Sequence, residues 1–287
     1  MDSNERKTNM DEFKQTIISG NINKLAVLLD YGKYDLTSET PLKWAAQSCN
    51  IEVLRLLICH QPSALCMRDD SGLSILMHVV RSINNHQSSI HDILMFDLIV
   101  KHDPKALDVR DKCGKTLLMY VLDSHSKYAI KMMQIILDHD QSASKVKDSN
   151  SKSVIMYVVQ SLSVYALDMF NLILKREPEA LDARGFKEKS VMMYVTQSHS
   201  RYALTMFQRI LKLEPKALEA RDTDGLSILM YAVRSSTLKA PDTKAMCQAI
   251  LDSDPKAFEA LDLHGRSVMM HVIRSYSPYS VELCHGA

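Results

Sequence analysis

The chain has 287 residues, of which 35 are basic and 34 are acidic, so its net charge is +1. This balance gives no overall field that would attract DNA, RNA or anionic lipid, and we expect no nucleic-acid partner. The N-terminal segment lacks the apolar run of a secretory signal, and no stretch approaches the ~20 apolar residues of a membrane span. We therefore expect no membrane insertion and a cytoplasmic location, which for an effector protein would be the host cytosol.

The N-terminal part of the sequence predicts a capping segment that precedes an array of repeats. Residues 1–9 are expected to be flexible, and residues 10–33 predict an N-terminal capping pair of helices, with Gly20 between two apolar runs. Residues 34–287 predict an array of about seven repeats. The last repeat is expected to be incomplete, because the chain reaches VELCHGA before a full second helix.

A nine-residue phrase recurs seven times in this array, and an aromatic residue or a histidine occupies the same slot in every copy. The copies begin at Thr40, Ser74, Thr116, Ser153, Ser190, Ser227 and Ser267, which define repeats 1 to 7. Their spacing of 34 to 42 residues is typical of a solenoid, in which structural units stack in one dimension. Each phrase predicts a short first helix with a Ser or Thr N-cap and one apolar face.

A second apolar run follows in each repeat and predicts a second helix. Four of these runs stop at Asp-Pro or Glu-Pro, at Pro104, Pro178, Pro215 and Pro255, because proline cannot continue a helix. A polar segment with a turn residue comes next, as in ARDTDG from Ala220, and predicts a short hairpin. We call this hairpin the finger of the repeat whose phrase follows it.

These units resemble the ankyrin repeat family, in which paired antiparallel helices alternate with a β-hairpin finger. The copy TPLKWAA from Thr40, followed by IEVLRLLI from Ile51, is the most similar to the family's signature. The resemblance covers nearly the whole chain, from about residue 10 onward. It implies an all-α, ankyrin-like solenoid of helical pairs with short hairpin fingers.

The repeats also depart from the family pattern. The motif histidine is replaced by Lys43 in repeat 1 and by methionine in the other six repeats, so we expect thioether packing instead of a polar link. The finger glycine is replaced by Ser151 in repeat 4 and by Glu188 in repeat 5. Three middle repeats carry longer connectors between their helices, as in SLSVYAL from Ser161.

Helix geometry predicts a surface for binding a partner. The aromatic or histidine slot lies opposite the apolar face, so these rings are expected to form a ladder along the inner, concave side. An amide or charged residue lies three positions later on the same face. The partner-binding residues predicted in this way are Trp44, His78, Arg81, Tyr120, Tyr157, Gln160, Tyr194, Gln197, Tyr231 and Arg234. The alternative is that the rings only fill gaps between successive first helices.

A basic stripe precedes the fingers. Its members are Arg68, Arg110, Lys147, Arg184 and Arg221, and four of the five are followed by an aspartate. The cations either contact an acidic or phosphorylated partner, or form an Arg to Asp ladder that braces neighbouring fingers. The alternating charges favour the ladder.

The sequence contains no motif that supports catalysis. Neither a dinucleotide-binding nor a phosphate-loop glycine motif occurs, and the six cysteines form no CxxC pair, so we expect no enzyme activity, no cofactor and no metal. One hypothesis is a scaffold or adaptor that binds a peptide or a folded protein on the concave surface. The other is a spacer or self-associating element that uses its uncapped C-terminal repeat, or a targeting part of a larger effector.

Overall fold

The computed structural model of the chain describes residues 3–31, 34, 40–83, 89–235 and 240–275. The chain divides into two compact units, an N-terminal unit of Met1–Gln141 and a C-terminal unit of Ser142–Ala287. Fifteen α-helices form among the described residues, and the only extended pairing there consists of isolated β-bridges.

The described part of the N-terminal unit contains eight α-helices. They are α1 (Ser3–Ser19), α2 (Ile22–Asp30), α3 (Thr40–Ser48), α4 (Ile51–His60), α5 (Ile75–Ile83), α6 (Ile90–His102), α7 (Leu117–Leu122) and α8 (Ala129–His139). The first helices α1, α3, α5 and α7 pack in succession, and the second helices α2, α4 and α6 do the same. This is the stacking of helical pairs that the repeats predicted.

The described part of the C-terminal unit continues the pattern with seven α-helices. They are α9 (Val154–Gln160), α10 (Ala166–Arg176), α11 (Val191–Thr196), α12 (Ala203–Leu213), α13 (Ile228–Arg234), α14 (Ala240–Ser253) and α15 (Val268–Arg274). The first helices α9, α11, α13 and α15 pack in succession, and the second helix α12 packs against α14. The expected all-α, ankyrin-like fold of helical pairs is confirmed.

The start of the chain differs from the expectation. Helix α1 begins at Ser3, whereas the sequence placed a flexible segment at residues 1–9 and the capping pair at residues 10–33. Glu5, Arg6 and Lys7 are good helix formers, so the helix extends upstream of its buried positions. The predicted end of the last repeat, at residues 276–287, lies outside the described residues.

The second helices end where the prolines predict. Phe207 and Ile210 of α12 are buried on one face, and the helix ends at Leu213, two residues before Pro215. The proline then begins a one-turn 3-10 segment, where its missing N–H group is not needed. The 3-10 segments within the described ranges are Pro62–Cys66, Pro104–Asp108, Gln141–Lys145, Pro178–Asp182, Phe186–Glu188, Pro215–Glu219 and Pro255–Glu259.

Each described finger closes with a single antiparallel bridge to the N-cap of the first helix, as between Arg221 and Ser227 in repeat 6. Gly225 at the tip has φ +77°, a left-handed conformation that glycine adopts without strain. In repeat 4 the same conformation is held by Ser151, with φ 60°. The predicted hairpin fingers are therefore confirmed, including those of repeats 4 and 5, in which another residue replaces the finger glycine.

The methionines that replace the family's histidine fill the space between the first helices. They are 0–1% exposed in repeats 2 to 6, at Met77, Met119, Met156, Met193 and Met230. A flexible thioether can adapt to the gap beside larger neighbours such as Val158 and Val159, which are also fully buried. The predicted thioether packing is confirmed in these five repeats.

The longer connectors are held by buried serines. In repeat 4, Ser161 Oγ accepts a hydrogen bond from the Ser163 amide, and Ser163 Oγ accepts one from the Tyr165 amide. Both serines are at most 2% exposed. Hydroxyls that bond nearby backbone in this way stabilise turns, so the extra residues form an ordered connector.

Candidate functional site

In five of the repeats, the ring of the first helix is hydrogen-bonded to the finger of its own repeat. In repeat 4 the Tyr157 hydroxyl donates a hydrogen bond of 2.7 Å to Oδ2 of Asp148, which stands nine residues earlier. The same contact occurs between Tyr120 and Asp111 at 2.6 Å, Tyr231 and Asp222 at 2.7 Å, His78 and Asp69 at 3.0 Å, and His271 and Asp262 at 3.0 Å. We call each of these five contacts an Asp–ring pair.

The same aspartates also fix the turn of the finger. Oδ1 of Asp222 accepts hydrogen bonds from the backbone amides of Asp224 and Leu226, at 2.9 and 2.8 Å. Asp222 is 7% exposed, and both of its carboxylate oxygens accept hydrogen bonds within the protein. One carboxylate thus holds the finger turn and joins the finger to the first helix.

Some members of the Asp–ring pairs have a shifted pKa, as Tyr231 does in one pair and Asp262 in another. Burial raises the pKa of Tyr231, and its hydrogen bond to Asp222 raises that pKa further. Burial acts to raise the pKa of Asp262, but hydrogen bonds from Arg266 and His271 outweigh burial and lower it. Tyr231 is therefore a protonated donor at neutral pH, and Asp262 in the His271 pair is an ionised acceptor.

The finger of repeat 5 has no aspartate at this position. Gly185 stands nine residues before Tyr194; burial raises the pKa of Tyr194, and the backbone of Phe186 acts to lower it. A Cβ on residue 185 would lie 2.6 Å from the Tyr194 hydroxyl oxygen, so the backbone occupies the place that a carboxylate takes elsewhere. The ring still lies against its finger, through the close approach of the Gly185 backbone.

The rings are less open than the sequence predicted. His78 is 7% exposed, Tyr231 is 4% exposed and His271 is 3% exposed, so the expectation of an open ladder is wrong at these positions. The physical reason is the Asp–ring pair, because a ring that bonds its finger lies against it. The other predicted ring residues are half-buried: Trp44, Tyr120, Tyr157 and Tyr194.

Lysine side chains lie over several rings. Lys152 Nζ is 4.0 Å from the centroid of the Tyr157 ring, and Lys189 Nζ is 5.0 Å from that of Tyr231. These distances are typical of cation–π contacts. The rings therefore have partners within the protein at their polar edge and on one face.

The residues three positions after the rings are more accessible. Arg81 and Arg234 are exposed, and Gln160 and Gln197 are half-buried at the ends of α9 and α11. None of these four side chains is held by an Asp–ring pair. We call the residues at this position the polar row: Gln47, Arg81, Asp123, Gln160, Gln197, Arg234 and Arg274.

A cavity lies beside the polar row in each unit. The cavity of the N-terminal unit has a volume of about 510 Å³ and brings together the predicted residues His78, Arg81 and Tyr120. The cavity of the C-terminal unit has a volume of about 500 Å³ and includes the predicted residue Arg234, together with His271. The other predicted residues line neither of these two cavities: Trp44, Tyr157, Gln160, Tyr194, Gln197 and Tyr231.

The finger aspartates have a structural role that differs from the one the sequence interpretation assigned to them. The basic stripe was expected to pair with them in a ladder. Instead, Arg68 donates to the carbonyl of Met67 at 2.8 Å, and Lys147 donates to the carbonyl of Arg184 at 2.8 Å. The signal that could have found the correct contact is the constant interval of nine residues between each aspartate and its ring.

Neighbouring fingers are nevertheless braced, mainly through the backbone. In the C-terminal unit the Thr223 amide donates to the Lys187 carbonyl, and the Leu263 amide donates to the Asp224 carbonyl, both at 3.0 Å. Lys187 Nζ also pairs with the Asp224 carboxylate at 2.9 Å. Bracing of adjacent fingers therefore occurs, but without the predicted alternation of Arg and Asp.

The described residues show neither a metal centre nor a membrane span. No group of three or more His, Cys, Asp or Glu side chains in the described ranges is placed to hold a metal ion. None of the helices in those ranges is both long enough and apolar enough to cross a bilayer.

Comparison with solved structures agrees with the fold. The ankyrin repeat domain of Bcl-3, a member of the IkappaB protein family, is 16% identical and has a TM-score of 0.57, covering 86% of this chain and 98% of that chain. A chain in the complex of a predatory endopeptidase from Bdellovibrio bacteriovorus with an immunity protein is 17% identical, with a TM-score of 0.51, covering 63% of this chain and 89% of that chain. No protein-family model matches the sequence. No curated protein matches it either.

Proposed function

We propose that this chain is a non-catalytic scaffold that binds a peptide or a folded protein along its polar row. The observation that supports the proposal is that the rings and the polar row share one helix face but differ in their contacts. The rings are bonded to the fingers, whereas Arg81 and Arg234 beside them are exposed. A rigid base that presents accessible arginine and amide groups is suited to recognising a protein surface.

The fold supports a binding role. Ankyrin-type units stack into an extended surface whose size grows with the number of repeats, and repeat proteins use such surfaces for binding. One of the similar structures is a complex of two proteins. The buried aspartates, the rings and the thioethers have structural roles in this proposal, and the partner contacts the polar row.

Site-specific photo-crosslinking tests the proposal. A benzophenone-bearing amino acid replaces Gln160 or Gln197 in the full chain, which is then irradiated in cells that produce it naturally. The matched control carries the same group in place of Arg209, an exposed residue of the second helix α12. We expect one set of crosslinked proteins from both polar-row positions and not from the control. Equal crosslinking from all three positions would contradict a binding surface on the polar row.

A second candidate function is self-association through the last described repeat. Ile273 and Met270 of α15 are 75% and 50% exposed, and Leu263 of its finger is 76% exposed. Apolar side chains at the end of a repeat array favour association with another copy. Light scattering over a range of concentrations tests this candidate: a dimer that Ile273→Lys converts to a monomer would support it, and a strictly monomeric parent protein would exclude it.

A further inference from the structure

The cavity of the C-terminal unit is rich in arginine. It lies between repeats 6 and 7, has a volume of about 500 Å³, and is lined by Arg234, Arg266 and Arg274 together with Asp224 and His271. Arg234 and Arg274 occupy the same polar-row position on the adjacent helices α13 and α15. Both are exposed, so their guanidinium groups are accessible to a ligand.

The carboxylates near this cavity already have other partners. Asp262 accepts hydrogen bonds from Arg266 at 2.7 Å and from His271 at 3.0 Å. Asp224 pairs with Lys187 at 2.9 Å. In the described part of the chain, no carboxylate forms an ion pair with either arginine of the polar row in this unit.

Two neighbouring ionisable groups interact with Arg234. Burial lowers the pKa of Lys189 and of His271, and the charge of Arg234 acts in the same direction in both. Asp222 acts to raise the pKa of Lys189, and Asp262 acts to raise that of His271.

The cavity of the N-terminal unit has a different balance. Its cations Lys43 and Arg81 share the cavity with the carboxylates of Asp69 and Asp123. Lys43 lies 3.8 Å from Asp69. Because positive and negative groups are matched there, an acidic ligand gains much less from that cavity than from the arginine-rich one.

We propose that the arginine-rich cavity binds the side-chain carboxylates of an acidic peptide segment, with Arg234 and Arg274 each engaging one carboxylate. This inference deepens the proposed scaffold function and rests on it. Packed helices lie about 8–10 Å apart. Alternate side chains of an extended peptide lie about 7 Å apart, so glutamates at alternate positions match the two arginines. The planar guanidinium group binds a carboxylate through two parallel hydrogen bonds.

Fluorescence anisotropy with the full chain tests this proposal. The probe is a fluorescein-labelled peptide of alternating glutamate and serine, and its control has glutamine in place of every glutamate. We expect the glutamate peptide to bind at least ~10-fold more tightly than the glutamine peptide and to lose affinity as NaCl is added. The double variant Arg234→Ala with Arg274→Ala should weaken binding by ~10-fold or more, with an unchanged melting temperature.

One single variant serves as the matched control. Arg209→Ala removes an exposed arginine from α12. It should not change the affinity for the glutamate peptide. An affinity that survives the loss of both Arg234 and Arg274, or that falls equally with Arg209→Ala, would overturn the proposal.

The remaining outcomes separate this inference from the scaffold function. If the glutamate peptide does not bind but photo-crosslinking from residues 160 and 197 yields a partner, the carboxylate site is wrong and the scaffold function stands. If a phosphoserine peptide binds through the same arginines while the glutamate peptide does not, the carboxylate assignment is overturned in favour of phosphate. If neither peptide binds and no partner crosslinks, both proposals fail.

Discussion

Repeats 4 and 5 lie in the same unit and attach the finger to the first helix in two different ways. In repeat 4, Asp148 holds its finger turn and accepts the hydroxyl of Tyr157. In repeat 5, Gly185 brings the backbone against Tyr194, and the finger contains two non-glycine residues with positive φ, at Lys187 and Glu188. The ring is tied to the finger in both repeats. The comparison indicates that the main role of the ring is to attach the finger to the first helix.

The largest effect should follow from removing the aspartate of repeat 4. Asp148→Ala leaves the Tyr157 hydroxyl and the amides of Asn150 and Lys152 without their acceptor. Because Asp148 is only 8% exposed, water replaces these bonds poorly, and we expect a loss of about 3 kcal/mol in the free energy of unfolding. Urea denaturation followed by circular dichroism measures this loss.

The exposed aspartate of another finger is the control for that change. Asp70 is exposed beside Asp69, and Asp70→Ala should change stability by less than about 0.5 kcal/mol. Equal effects of Asp148→Ala and Asp70→Ala would show that the carboxylate does not hold the finger.

Removal of the tyrosine hydroxyls tests the same comparison by changing the ring instead of the finger. Tyr157→Phe should cost about 1.5 kcal/mol, because it leaves a buried carboxylate oxygen without its donor. Tyr194→Phe should cost about 0.5 kcal/mol, because Gly185 stands where repeat 4 supplies a carboxylate, so no buried charge loses its donor. Parallel urea titrations give both values, and a larger loss for Tyr194→Phe would reverse the ranking that we derive.

Histidine in the ring slot should make stability depend on pH. Burial lowers the pKa of His78 in the folded state, with a further contribution from Lys43, whereas the unfolded histidine titrates near ~6.5. Below about pH 6.5 the unfolded chain therefore binds a proton more readily than the folded chain, and stability falls as the pH falls. His78→Tyr installs the residue used in repeat 3 and should reduce the loss of stability between pH 7.5 and pH 5.5. An undiminished loss would contradict this role of His78.

The smallest effect concerns the tip of the finger in repeat 4. Ser151 has φ 60°, so Ser151→Gly should raise the free energy of unfolding by about 0.5 kcal/mol, the balance of relieved strain and added chain entropy. Ser149→Gly in the same finger is the control and should be slightly destabilising, because Ser149 does not have a positive φ. Thermal melts of the two variants should therefore shift in opposite directions.

Most of the fold could be predicted from the sequence because it depends on local signals. The proline stops and the finger turns each involve residues close together in the chain, and both were confirmed. The role of the rings could not be predicted from helix periodicity, which places Tyr231 opposite the apolar face. Its burial comes from the finger, through the bond to Asp222. Helix periodicity does not include the finger, so the ring was expected to be open.

The positive charge of the C-terminal cavity also could not be predicted from the sequence. Arg234 and Arg274 are 40 residues apart and are balanced by many carboxylates in the overall composition. Only the fold shows that Asp262 is bonded to Arg266 and that Asp224 is bonded to Lys187. A net charge of +1 therefore conceals a local site with accessible arginines.

The most direct test separates the rings from the polar row in one binding experiment. One triple variant carries Tyr157→Phe, Tyr194→Phe and Tyr231→Phe, and the other carries Gln160→Ala, Gln197→Ala and Arg234→Ala. The affinity of each for the photo-crosslinked partner is measured by calorimetry below its melting temperature. We expect the ring variant to melt earlier and bind within ~3-fold of the parent, and the polar-row variant to keep its melting temperature and bind at least ~10-fold more weakly. The reverse pattern would contradict the account.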